Sequence, residues 1–154
     1  APTVEAALGG KKPKYEVVIT NEDLQNVEAT FSDKRDNDKV DFAMFGCPHF
    51  TLEEAQHIAE GVKGKKLAIP MYILVSSHAL QMAQRMGIAD VLAEAGAEII
   101  ADSCPDQPCW HYLKGKVGIT ESPKCAYYPR RRGIHFIIRD LDTCIQAALT
   151  GEVK

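Results

Sequence analysis

The reading that decides the fold lies in residues 41–61, DFAMFGCPHFTLEEAQHIAEG. Val40 to Phe45 is short, apolar and bounded by turn signals, the pattern of a buried strand. Thr51 and Glu54 hold the spacing of a capping box, in which each side chain satisfies a backbone N–H that the helix start leaves unpaired. Leu52, Ala55, Ile58 and Ala59 then recur at helical spacing, and Gly61 and Gly64 end the run. Between strand and helix stands Gly46-Cys47-Pro48-His49. A cysteine, a proline and a histidine in so tight a joint are either packing or the place where chemistry is done.

Working outward, the scheme repeats. KLAIPMYILVSSHALQMAQRMG, residues 66–87, reads as a buried strand over Leu67 to Val75, a Ser76 or Ser77 cap, and a helix to Gly87. Pro70 counts against a regular central strand and marks a strand start or a bulge. IADVLAEAG, residues 88–96, is a short helix closed by Gly96, and AEIIA, residues 97–101, is a strand before DSCPDQPCW. Lys116 to Ile119 is a strand before TESPKCAYY, Ile134 to Ile138 is the last strand, and Asp140 to Leu149 is a helix ended by Gly151. Upstream, Tyr15 to Ile19 is β-rich, Thr20 to Asp23 offers caps for a helix to about Phe31, and SDKRDNDKVD, residues 32–41, is a charged loop.

Strand and helix alternate, so the fold class expected is a three-layer α/β/α domain with a mostly parallel sheet. Residues 1–14, which begin without Met, read as a linker or a segment entered mid-protein, and residues 15–154 as one domain. In such sheets ligands bind beyond the carboxyl ends of the strands. Four chemically loaded stretches fall there: Gly46 to His49, Ser76-Ser77-His78, Asp102-Ser103-Cys104-Pro105 and Thr120 to Lys124.

The 154 residues suffice for one buried core, and 25% charged with 45% hydrophobic residues is ordinary for a globular chain. A net charge of -3 gives no electrostatic reason to expect nucleic acid. The basic clusters Lys11-Lys12-Pro13-Lys14, Lys63 to Lys66 and Arg130-Arg131-Arg132 are expected to be solvated surface. No apolar run approaches the roughly 20 residues that span a bilayer, and no secretory signal is evident, so no membrane partner and a cytoplasmic compartment are expected.

Five cysteines in such a chain do not suggest a disulfide framework. Cys144, on the apolar face of the last helix, reads as packing. Cys47 and Cys104 differ, because each follows a strand and precedes a proline that stiffens the loop, as a metal ligand or a nucleophile requires. Cys104, Cys109 and His111 invite a zinc reading, but the C-x4-C-x-H spacing is unusual and no second motif completes a tetrahedron. His57 and His135 read as structural or surface residues, whereas His49 and His78 lie at the expected edge, placed for hydrogen bonding or proton transfer. Ser122 reads first as a helix cap, and with Lys124 beside it the same helix start suits a carboxylate or phosphate. Neither a Walker pattern nor G-x-G-x-x-G is present.

Taken in order, GCPHFTLEE, AGAEIIADSCP, TESPKCAYY and the closing CIQAALTG resemble the large-subunit catalytic region of aconitase X, a hydro-lyase family. The opening APTVEAALGG is similar to that family's sequence just upstream. The resemblance spans nearly the whole chain and covers the carboxyl-terminal part of a large subunit. It implies an iron–sulfur dehydratase, of unspecified cluster nuclearity, acting on a small hydroxy acid such as cis-3-hydroxy-L-proline or mevalonate 5-phosphate. It implies Cys47 and Cys104 as cluster ligands and Ser122 and Lys124 as substrate contacts. Ser77, at the same edge, is assigned with them, and His49 is given the catalytic part. A third ligand is expected from the remaining part of the large subunit, and a serine base from a small swivelling subunit or domain. Cys125 departs from the family's usual S-x-K-A-A. Two rivals stand beside this reading: a noncatalytic binding or assembly domain, and a thiol enzyme with Cys47 as nucleophile and His49 or His78 as base.

Overall fold

A computed structural model describes residues 2–33 and 39–153. In chain order the elements are α1 (Val4–Leu8), α2 (Asn21–Phe31), β1 (Phe42–Phe50), α3 (Leu52–Val62), β2 (Met71–Val75), α4 (Ser77–Arg85), α5 (Ile88–Ala95), β3 (Ala97–Ala101), β4 (Val117–Thr120), α6 (Pro123–Tyr127), β5 (His135–Ile138) and α7 (Leu141–Thr150). Short 3-10 turns occupy Pro108–Leu113 and Pro129–Arg132. The strands form one parallel sheet in the order β3-β2-β1-β4-β5, with helices on both faces, as the alternation predicted.

The period-2 alternation of each strand sorts its side chains between two apolar layers. Ala43, Phe45, Ile73, Val75 and Ile119 face α3, α4, α5 and α7, through residues such as Ile58, Ala83, Leu92 and Ile145. Phe42, Met44, Tyr72, Leu74 and Phe136 face the other way, toward Trp110, Leu113, Cys125 and Ala126. Both faces of the sheet are thereby dry, which is why its strands read as continuous apolar runs.

From β1 the chain moves to β2 and β3 with α3, α4 and α5 on one face, and from β4 it moves to β5 with α6 on the other. The neighbours β1 and β4 thus send their connections in opposite directions. Their carboxyl ends form the switch point at which such sheets open a crevice.

Three sequence expectations change. Tyr15 to Ile19 forms no strand: Tyr15, Val17, Val18 and Ile19 are exposed, and α1 and α2 bury no side chain. The free edge of β5, which a β-rich segment could have joined, is taken by residues 32–33, through Asp33 N–H to the Phe136 carbonyl (2.7 Å) and Ile138 N–H to Ser32 Oγ (3.0 Å). β1 does not stop at Phe45 but resumes pairing at Phe50. Arg130 to Arg132 is not free surface, because Arg130 pairs with Asp33, and Arg131 and Arg132 both grip Asp106. Positions 34–38 of the charged loop lie outside the described residues. Among the described residues no helix is long and apolar enough to cross a membrane.

Candidate functional site

The site begins with an interruption of β1. Phe45 pairs with Ile73 and Phe50 with Val75, so β1 advances five residues while β2 advances two. The surplus is extruded as a bulge over Gly46-Cys47-Pro48-His49, a device that re-aims side chains at a sheet's rim. Gly46 permits it. Its φ is +94°, and a Cβ there would stand 2.0 Å from the Leu74 carbonyl oxygen. The Cys47–Pro48 peptide is cis.

Neighbouring strand ends hold the bulge in place. Ser122, the cap of α6, donates its hydroxyl to the Cys47 carbonyl and accepts from Cys125 N–H at 3.2 Å, which ties the end of β1 to the end of β4. His49 Nε2 lies 2.7 Å from the Ser103 carbonyl, across the sheet at the end of β3. A carbonyl only accepts, so Nε2 carries the proton and Nδ1 of a neutral ring is left as an acceptor. Asp102, at φ +53°, receives Ser77 N–H on Oδ1 at 3.0 Å and joins the ends of β2 and β3. The Cys104 carbonyl accepts from Trp110 Nε1 at 2.9 Å and from Gln107 N–H at 3.1 Å. Asp106 then anchors the loop to Arg131 and Arg132.

The expected edge therefore exists as a connected rim, and the two cysteines lie on it within electrostatic reach of each other. Burial raises the Cys47 thiol above the ordinary range, the Lys124 ammonium pulls it down, and Cys104, Glu121 and Asp106 push it up. Cys104 is exposed and Cys47 buried. Cys125 is fully buried within reach of both, and desolvation holds its thiol firmly protonated. Cys144 packs in the other layer, its thiol likewise raised by burial.

Ser122 is buried with its hydroxyl engaged at both ends, so it holds the Cys47 loop and leaves Lys124, which is exposed, as the side chain free to meet an anion. Ser77 reaches the rim through Asp102, and His78 stands exposed in the first turn of α4. His57 bonds Asp142 at 2.7 Å between α3 and the first turn of α7.

Glu121 is the residue that sequence reasoning passed over. Burial between β1 and β4 pushes its carboxyl up to about 7, the N–H groups of Glu121 and Gly46 and the Thr120 hydroxyl oppose the shift, and the Glu54 charge adds to it. A lone acid directly after an apolar strand was the available signal. Near neutral pH such a group can hold or release a proton at the switch point.

Among the described residues no three His, Cys, Asp or Glu side chains converge as a metal group, so Cys104, Cys109 and His111 do not gather. The donor set at the rim is two soft thiols on stiffened loops. It fits part of an iron–sulfur ligand set and leaves the set to be completed from outside this chain.

The comparisons with known proteins bear on the family and the fold. The family model described as the aconitase X third domain matches residues 40–150. The phosphomevalonate dehydratase large subunit of Thermococcus kodakarensis is 31% identical over 151 residues, covering 90% of this chain and 38% of that protein. The cis-3-hydroxy-L-proline dehydratase of Hypocrea jecorina is 28% identical over 163 residues, covering 98% of this chain and 26% of that one. The crystal structure of Thermococcus kodakaraensis aconitase X in its holo-form superposes with a TM-score of 0.71 at 30% identity, over 91% of this chain and 38% of that one. This chain thus spans well under half the length of the relatives it matches, and the match to residues 40–150 places it in the aconitase X family, of which it carries the third domain.

Proposed function

We propose that this chain is one domain of an aconitase X-type hydro-lyase, which removes water from a small hydroxy acid of the cis-3-hydroxy-L-proline or phosphomevalonate kind. The observation that carries the reading is that Cys47 lies within electrostatic reach of both Cys104 and Lys124 at the carboxyl edge of one parallel sheet. In this reading the two thiolates hold an iron–sulfur cluster, and the rest of the large subunit brings a further ligand. A small swivelling subunit or domain brings the base. When bound, such a cluster held by Cys47 and Cys104 would supply Lewis-acid chemistry for the departing hydroxyl.

This chain's own residues bind and orient. Lys124 meets the substrate carboxylate and steadies the charge that builds on it as the α-proton leaves. Ser122 keeps the Cys47 loop in place, and Ser77, exposed after β2, lines the approach. His49, fixed through Nε2, offers Nδ1 as an acceptor toward the substrate or a coordinated group. Five free thiols suit a reducing compartment, and the cytoplasm is proposed.

The thiol-enzyme rival meets two obstacles. Burial keeps Cys47 in its unreactive protonated form, and His49 has one ring nitrogen committed to Ser103. The test is anaerobic reconstitution with iron and sulfide, on this chain joined to the remainder of its large subunit and read by visible absorption. The wild-type protein should take up a cluster, and Cys47→Ala or Cys104→Ala should abolish uptake. Full uptake by either variant would refute the assignment.

A further inference from the structure

One segment of the molecule has the composition of a buried strand and stands in water. Tyr15, Val17, Val18 and Ile19 are 72% to 88% exposed, and only Glu16 interrupts the apolar run. In an extended chain Tyr15, Val17 and Ile19 share one face and Val18 takes the other, so a sheet covered on both sides would bury all four. Among the described residues the N–H and carbonyl groups of Tyr15 to Ile19 have no hydrogen-bond partner. Leu24 and Val27, three residues apart on α2, are exposed as well and give that helix an apolar face of its own.

This domain offers the segment no near edge. Residues 32–33 occupy the outer edge of β5, and β3, the other outer strand, lies four strand spacings away, about 19 Å. The carboxyl end of α2, by contrast, is fastened to the body. Phe31 packs edge-on against Tyr127 with ring centroids 5.3 Å apart, its carbonyl accepts from Arg130 Nη2 at 3.3 Å, and Glu28 pairs with Arg139 at 3.7 Å. The segment therefore hangs from a helix about 16 Å long, whose root touches α6, the helix that opens with Ser122 and contains Lys124. The extents of the family matches point to what meets it. The aconitase X third domain begins at residue 40, yet the likeness to the Hypocrea jecorina enzyme takes in nearly the whole chain. The arm thus corresponds to sequence of the relatives that lies outside their third domain.

We infer that Tyr15 to Ile19 is an unpaired strand that adds to an open sheet edge in the adjoining domain of the large subunit, and that this pairing seats that domain beside α6 and the rim. Strand addition satisfies the segment's backbone groups through the partner's ladder, while alternate side chains enter its two apolar layers. A helix-binding groove would need anchors at helical spacing, which the period-2 face of Tyr15, Val17 and Ile19 does not supply. The inference rests on the family match and on burial, and not on the cluster reading.

Hydrogen–deuterium exchange, read by mass spectrometry, is compared between this chain alone and the chain joined to the remainder of its large subunit. Amides 16–19 should exchange at the unprotected rate in the chain alone and about 100-fold more slowly in the joined protein. The double variant Val17→Lys, Ile19→Lys should return them to the unprotected rate in the joined protein. Amides of β1 and β2 should stay slow in that variant, which separates lost docking from lost folding. In the chain alone the same variant should melt as the wild type does, because both side chains already stand in water. Fast exchange in the joined protein, or protection that survives the double variant, would overturn the inference. Protection in the chain alone that grows with its concentration would put the segment on a second copy and overturn it equally. The readout needs neither cluster nor turnover, so failed cluster uptake would leave this result standing, and failed protection would leave the dehydratase reading untouched.

Discussion

Two residues at the switch point make the sharpest tests. At Gly46 a methyl group would collide with the Leu74 carbonyl in a backbone conformation that side chains disfavour. Gly46→Ala should therefore cost about 3 kcal/mol or more, measured by urea unfolding, because neither the strain nor the clash can relax without moving β2. Glu121 couples stability to pH. Its folded-state proton is held more tightly than in the unfolded chain, because burial raises the carboxyl from an ordinary 4.5 to about 7. The contribution is full below pH 4.5, falls as pH rises, and is gone beyond about 7. Relative to wild type, Glu121→Gln should thus gain about 1–2 kcal/mol between pH 5 and pH 8, a figure discounted for partial exposure. An equal urea midpoint difference at both pH values would contradict it. Local rules were legible here: the Thr51–Glu54 capping box forms as its spacing requires, with Thr51 N–H to Glu54 Oε2 at 2.7 Å. The Glu121 shift was not, because its cause is burial by strands and a helix far away in the sequence.

At the scale of elements, the loop after β3 depends on a clamp rather than on its own turns. Asp106 is 12% exposed and serves two arginines, so Asp106→Asn should lower stability by about 1–3 kcal/mol. It should also speed amide hydrogen exchange across residues 103–113, while exchange in α3 and α7 stays as it was. Exchange unchanged in that loop would show that Trp110 alone fixes it. The existence of β1 to β5 and of the helices between them was readable from apolar runs, caps and terminal glycines. The bulge was not, since a run that halts at Gly46 looks like a strand end, and only the Phe50 pairing with Val75 shows that it continues. Tyr15 to Ile19 misled for the opposite reason. Its residues favour strands, but a strand needs an edge to join.

For the whole molecule, the described residues ahead of α2 stand apart from the packed body, with Tyr15, Val17, Val18 and Ile19 exposed. The buried core starts at Val40 and α1 buries no side chain, whereas α2 reaches the body through Phe31, which packs edge-on against Tyr127. Deleting residues 1–19 should accordingly leave the urea midpoint within about 0.5 kcal/mol of the full chain. A larger loss would mean that the arm packs against the body in solution. The three-layer plan and the gathering of the loaded loops at one edge could be foreseen from strand–helix alternation alone. The grip of Asp106 on Arg131 and Arg132 could not, because it joins loops 25 and 26 residues apart. Cys47 is also part of the smaller apolar layer, packed with Phe42, Met44 and Trp110. Peroxide that carried this sulfur to a sulfinic acid would set a charged oxyacid among aromatic rings. Oxidative damage at this one atom should therefore unravel the domain, and reductant added afterwards should not restore it.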